Sequence, residues 1–236
     1  MRKIFNYINN NDQLKQLISI MIVLIVMIIV FSISSQYFFT KNNLLTIALQ
    51  SSIIAIISIG QTLVLITGGI DLSLGSVIGL SGLPKEFLIV SGNSFLGLSI
   101  PVWIMLLLTF LFHYMLTKTP LGLHIYASGS NIQAAKLSGI NTNITILLVY
   151  IFSALLASIA GIVFASRVLS GQPTAGSGYE LYAVASSVIG GTSLSGGEGI
   201  IAGTLVGSLI IGTLRNGLNL MGVSAFLQEV MIGCVI

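Results

Sequence analysis

Among the acids of this sequence, Asp71 has the most telling surroundings. It stands in Thr67-Gly-Gly-Ile-Asp-Leu-Ser-Leu-Gly-Ser76, where two glycines end one apolar run and Asp71-Leu-Ser73 can begin another. An aspartate at that place can accept from the amide of Ser73 or Leu74, where a helix N-terminus also favours its charge. The second reading is a gate or ion site inside a membrane, with Ser73. The rest of the catalytic inventory is thin. His113 and His124 lie eleven residues apart on different predicted elements, and the six acids are scattered. There is no Gly-x-Ser-x-Gly elbow and no lysine after a glycine run. Cys234 stands alone, which excludes an internal disulfide and a cysteine metal cage. No catalytic residue, metal or cofactor is expected, and a membrane enzyme has little support.

Two other stretches carry information. In Gly122-Leu-His-Ile-Tyr-Ala-Ser-Gly-Ser-Asn-Ile-Gln-Ala-Ala-Lys-Leu-Ser-Gly-Ile140, Asn131 can cap a short helix from Ile132 to Ser138 that Gly139 ends. So short a helix is unstable alone in water, so it must rest on a membrane surface or another protein. A docking helix and an ordinary interfacial loop both fit. The third stretch pairs Gln172-Pro-Thr-Ala-Gly-Ser-Gly-Tyr-Glu180 with Gly190-Gly-Thr-Ser-Leu-Ser-Gly-Gly-Glu198 around a short run of small residues. That is the pattern of a broken or re-entrant helix. No lysine follows those glycines, so a phosphate loop is discounted.

The elements that must hold these stretches are membrane spans. Of 236 residues, 55% are hydrophobic and only 6% charged, with a mean hydropathy of +1.04. Too few charges remain to cover a water-facing surface. The net charge of +3 comes from nine scattered Lys and Arg, which form no patch for nucleic acid. Runs of about 20 apolar residues mark spans: Leu17–Ile33, Leu44–Thr67, Ile100–Leu116, Ile144–Ala165 and Ile200–Leu214. Shorter runs cover Leu72–Leu83, Leu181–Thr192 and Val223–Ile236. Leu17–Ile33 is too long for a signal peptide and is read as a retained span. Gln50 and Gln61 lie inside the second, where lipid contact would be costly, so they face other helices or a pathway. Ser153, Ala157, Gly161 and Ala165, and likewise Gly199, Gly203 and Gly207, recur every fourth residue and read as packing ridges. The expected fold is all-α: one transmembrane domain over residues 1–236, with broken or re-entrant helices.

Cations set the orientation. Arg2, Lys3 and Lys15 keep the N-terminus in the cytoplasm. If the Asp71 segment counts as a span, the polar loop 117–143, with Lys118, His124 and Lys136, also falls on the cytoplasmic side.

Together the three stretches resemble the permease subunits of bacterial ABC sugar importers of the ribose, galactose and xylose branch. The resemblance rests on the Ile70-Asp-Leu-Ser73 block, on Tyr126-Ala-Ser-Gly-Ser-Asn131 with Ala134-Ala135 and Ser138-Gly-Ile-Asn141, and on the run from Gln172-Pro-Thr-Ala-Gly through Gly190-Gly-Thr-Ser-Leu to Arg215-Asn-Gly-Leu-Asn219. It covers most of residues 36–82 and 101–236. It implies a multi-pass protein of the bacterial cytoplasmic membrane that imports a monosaccharide, ribose or a related sugar. It implies a second permease copy, a cytoplasmic ATP-binding subunit that hydrolyses the ATP, and an extracytoplasmic sugar-binding protein. Gly129, Asn131, Ala134, Ala135, Lys136 and Gly139 match the region that couples to the ATPase. Gln50, Gln61, Asp71 and Ser73 are the gate or pathway candidates. Between Gly82 and Pro101 the sequence is shorter than the family pattern by about two spans, and its C-terminal end is shorter by part of a helix. A truncated relative that docks an ATPase without transporting is the alternative.

Overall fold

The computed structural model describes residues 12–80, 93–168 and 176–234. The described elements follow the chain as α1 (Asp12–Ser34), α2 (Lys41–Ile66), α3 (Leu74–Leu80), β1 (Ser94–Phe95), β2 (Leu98–Ser99) and α4 (Ile100–Lys118). Then come α5 (Pro120–Ser130), α6 (Ile132–Leu137), α7 (Thr142–Val168), α8 (Tyr179–Ile189), α9 (Ile201–Leu220) and α10 (Ala225–Gly233). Among the described residues, α1, α2, α4, α7 and α9 are long and apolar enough to cross a membrane. The chain is an all-α polytopic bundle.

Burial separates these helices. The most apolar stretch of α2 is 89% buried, whereas that of α1 is 11% buried. Every residue from Ser51 to Ile66 is inside the bundle. A helix buried all round is a central one, and α7, α8, α9 and α4 surround α2. By contrast α1 leaves Ile22, Val26, Ile29 and Val30 exposed, and its apolar composition suits lipid there.

Small residues allow this close packing. A methyl group at Gly60 would come within 2.9 Å of the Ser153 Cα, and one at Gly203 would run into the Gly190 carbonyl. Gly207 meets the Ser186 carbonyl in the same way, and Gly212 meets Ser51. Ser153, Ala157, Gly161 and Ala165 are all buried on α7. Both ridges therefore pack helices together, as lipid-phase association requires. Hydroxyls add a buried link: Thr62 Oγ1 donates to Ser187 Oγ (2.9 Å) and lies 2.7 Å from Thr204 Oγ1. This joins α2, α8 and α9.

The broken helices are visible where the glycines stand. The chain leaves α2 at Ile66, passes through a non-helical segment and restarts at Leu74. The eleven residues of α8 span about 16 Å, half the hydrocarbon core of about 30 Å.

One expectation needs correction. The stretch 117–143 is not mainly loop, because α5 occupies Pro120–Ser130. Pro120 stands in its first turn, Thr119 Oγ1 accepts from the Gly122 amide (3.4 Å), and Gly122, Ile125 and Ser128 are buried three residues apart. Gly122 and Gly129 look like breakers in sequence, but each sits where a methyl group would strike a carbonyl, of Leu116 and Ile66 respectively. Just before α4 a hairpin pairs Ser94 with Ser99 and Phe95 with Leu98. Its turn uses Leu96 and Gly97, both at positive φ, as a two-residue hairpin turn demands. Trp103 Nε1 donates to the Phe95 carbonyl (3.0 Å), fixing the hairpin to α4. Arg2, Lys3, Pro84-Lys-Glu86, Gln172-Pro-Thr-Ala175 and Ile236 lie outside the described residues.

Candidate functional site

The candidate residues fall into three places rather than one. The first is the end of the bundle where α5 passes into α6. Asn131 Oδ1 accepts from the amides of Gln133 (3.0 Å) and Ala134 (2.9 Å), and so caps α6. Its own amide donates to the Ala127 carbonyl (3.1 Å), closing α5. One residue thus ends one helix and starts the next. At the far end, Gly139 takes φ +83°, and Ile140 N–H reaches back to the Ala135 carbonyl (3.1 Å). That is the glycine-terminated helix end expected from the sequence. Ala135 is buried, while Asn131, Ala134, Lys136 and Gly139 are exposed. Leu137 is 91% exposed and Ile132 40% exposed.

The preceding helix α5 meets the core backbone to backbone. The Ile66 carbonyl, at the end of α2, accepts from the Gly197 amide (2.8 Å), and Gly129 packs directly against that carbonyl. Gly197 has φ +77°, and a methyl group on it would meet Ser130. The end of α2, the last turn of α5 and the loop before α9 therefore share one junction. Tyr126 Oη reinforces it by donating to the Gly199 carbonyl (2.7 Å). Burial pushes the Tyr126 hydroxyl above its ordinary pKa, so it stays a donor. Beside the junction, Gln13, Gln16, Tyr126, Glu198 and Ile200 help to line a cavity of about 710 Å³.

The second place is the break between α2 and α3. Asp71 is buried, and its Oδ1 accepts from Ser73 N–H (3.0 Å) and Ser73 Oγ (2.6 Å). Its Oδ2 accepts from Ser153 Oγ on α7 (2.8 Å). The helix proper begins at Leu74, with Ser73 accepting the first backbone bond from Val77 (3.0 Å). Asp71 therefore braces the turn before α3 and ties it to α7. Asp71 and Ser73 come together, whereas Gln61 and Gln50 do not join them. Gln61 is fully buried within α2, with no hydrogen-bond partner for either end of its amide among the described residues.

The third place was singled out by the sequence only in part, through the pathway candidate Gln50 and the Arg215–Asn219 stretch of the resemblance. Gln50 lines a cavity of about 270 Å³ together with Arg167, Tyr179, Arg215, Asn216, Asn219, Ala225 and Gln228. The Arg215 guanidinium carbon lies 4.4 Å from the Tyr182 ring centroid and 5.8 Å from that of Tyr179. Asn216 Nδ2 donates to Asn43 Oδ1 (2.9 Å), linking α9 to α2. One signal was present in the sequence, namely Arg215-Asn216 directly after the apolar run Ile200–Leu214. Its partners are scattered from residue 43 to residue 228, so no local pattern reveals them.

Known proteins resemble this chain along most of its length. A family model described as branched-chain amino acid transport system / permease component matches residues 82–236. The ribose import permease protein of Escherichia coli (strain K12) is 38% identical, covering 94% of this chain and 90% of that protein. That of Bacillus subtilis (strain 168) is 35% identical, covering 95% and 92%. The D-allose transport system permease protein of Escherichia coli (strain K12) is 31% identical, covering 87% and 84%. No solved structure matches the chain. The first alignment runs over 294 positions, but 94% of 236 residues is about 222, so about 72 positions of it have no residue here.

Proposed function

The chain belongs to the branched-chain amino acid transport system / permease component family, and from that premise we propose that it is the permease subunit of an ABC importer. Its cargo is a monosaccharide, ribose or a close relative. The observation that carries this reading is the 38% identity to a ribose import permease across nine-tenths of both chains. The subunit pairs with a second copy in the bacterial inner membrane, with its N-terminus in the cytoplasm. A cytoplasmic ATP-binding subunit hydrolyses ATP, and an extracytoplasmic sugar-binding protein delivers the cargo. We place the missing positions between Gly82 and Pro101, where the sequence is shorter than the family pattern by about two spans, and an even number of missing spans leaves the orientation of later helices unchanged.

On this reading α6 is the coupling helix. Gly129, Asn131, Ala134, Ala135, Lys136 and Gly139 form it or join it to the bundle. A push on its exposed face passes through Gly129 to the Ile66 carbonyl and so to the buried helix α2. Interdigitated backbones move as a body rather than deforming. Asp71 and Ser73 brace the α2–α3 break through Ser153, so they set the position of a gate rather than form its opening.

The test is reconstitution. Proteoliposomes holding this chain, its ATP-binding subunit and its sugar-binding protein take up D-ribose, D-allose or D-xylose when ATP is supplied. Equal uptake without this chain sinks the proposal. Normal docking of the ATP-binding subunit without uptake selects the non-transporting alternative. Docking itself is read by a disulfide between Asn131→Cys and the ATP-binding subunit.

A further inference from the structure

At the end of α9 away from α6, two cavities flank one wall. The first, about 270 Å³, holds Gln50, Arg215, Asn216 and Gln228. The second, about 230 Å³, holds Glu180, Tyr182 and Glu229. The wall between them is the Tyr179–Tyr182 ring pair, with centroids 5.5 Å apart and planes at 70°, against which Arg215 rests. Four helices, α2, α8, α9 and α10, supply these side chains. Inside an apolar bundle such a concentration of hydrogen-bonding groups is costly unless something uses it.

The groups are also incompletely used. Asn216 is 6% exposed, and its Oδ1 has no hydrogen-bond partner among the described residues, although its Nδ2 is engaged by Asn43. One Glu180 carboxylate oxygen, Oε2, is buried without a partner among the described residues. Arginine carries five N–H donors, and among the described residues Arg215 makes ring contacts only. A buried acceptor left unmet costs about 1–3 kcal/mol, so a ligand that meets it is favoured.

We propose that the cavity beside Arg215 is a binding station for a neutral, polyhydroxylated single-ring molecule, a monosaccharide in transit. This rests on the permease reading and adds to it the site. The choice of ligand class follows from the donors and acceptors. An anion would satisfy the arginine but offers no proton to Asn216 Oδ1. A sugar hydroxyl both donates and accepts, so adjoining hydroxyls can meet Arg215 and Asn216 together. Tyr179, which lines the cavity, adds an aromatic side chain for the C–H side of such a ring. The volume lies below the range of about 300–1,000 Å³ usual for larger ligands, which suits one ring and not a disaccharide.

The probe is Asn219→Cys, because Asn219 lines the cavity and is exposed. In a Cys234→Ser background and in the assembled complex, D-ribose, D-allose or D-xylose, whichever the complex takes up, slows alkylation of that thiol. The slowing follows occupancy and reaches about threefold at twice the dissociation constant. Asn93→Cys, at an exposed position outside the cavity lining, is alkylated at the same rate with and without sugar. Separately, Asn216→Leu lowers uptake about tenfold or more, the loss of one buried hydrogen-bond acceptor, in a complex that still co-purifies with its ATP-binding subunit. Unchanged alkylation by a sugar that the complex does take up overturns the station, as does protection by sulfate in place of sugar. A complex that takes up none of the three sugars overturns the permease reading itself and this inference with it.

Discussion

The α6 end and the Arg215 end of the bundle are built on opposite principles. At the α6 end, backbone meets backbone: Gly129 lies on the Ile66 carbonyl, and Gly197 donates to that same oxygen. At the Arg215 end, side chains from separate helices stand around open space, and Asn216 Oδ1 is unmet among the described residues. The first arrangement transmits displacement, because no flexible side chain separates the elements. The second accommodates a ligand, because its hydrogen bonds are unfinished. The proposed conversion of a push at one end into release at the other needs both.

The contrast predicts that substitutions at the α6 end cost stability, whereas those at the Arg215 end cost transport. The largest effect is expected at Gly129. A valine there must displace the end of α2, and overpacking of this kind costs about 1–3 kcal/mol. Thermal unfolding of the purified permease measures it. Asn219→Val, at the other end, changes stability by no more than about 0.5 kcal/mol. Equal losses at both positions would break the contrast.

Next in size is Asn131→Ala. It removes the acceptor for two amides of α6, and loss of such a cap costs about 1 kcal/mol. Hydrogen exchange at Gln133 and Ala134 should quicken accordingly, and Asn131→Asp should restore protection. Smaller again is Arg215→Met, which forfeits the ring contact with Tyr182, about 0.5–1 kcal/mol. Its unfolding temperature should shift slightly while uptake falls far more.

The same contrast explains what the sequence could reveal. The α6 end was legible because its determinants are local. Asn131 and Gly139 bracket one short helix, and each acts on amides or carbonyls within a few residues. The spans were legible because lipid imposes long apolar runs, and α7 extends only a few residues beyond its predicted bounds at either end. Asp71 was half legible. Its bond to Ser73 follows from spacing, whereas its bond to Ser153 crosses 82 positions. Helix α5 was hidden because two glycines that weaken a helix in isolation are fixed by tertiary contact with Leu116 and Ile66. The Arg215 cavity was hidden because Gln50, Arg167, Tyr179, Arg215 and Gln228 converge only in the folded bundle.

The smallest expected effect on stability is also the sharpest test of the α6 end. Leu137 is 91% exposed, so Leu137→Ser should alter unfolding by no more than about 0.5 kcal/mol. If α6 were only an internal strut, nothing further would follow. If α6 seats the ATP-binding subunit, burial of Leu137 in that contact is worth about 1.5–3 kcal/mol, and the serine variant should bind the subunit about tenfold more weakly. The two readings therefore diverge at a residue whose loss the isolated fold barely registers. Unchanged affinity for the ATP-binding subunit would move the docking surface away from α6 and leave the Gly129 junction as packing alone.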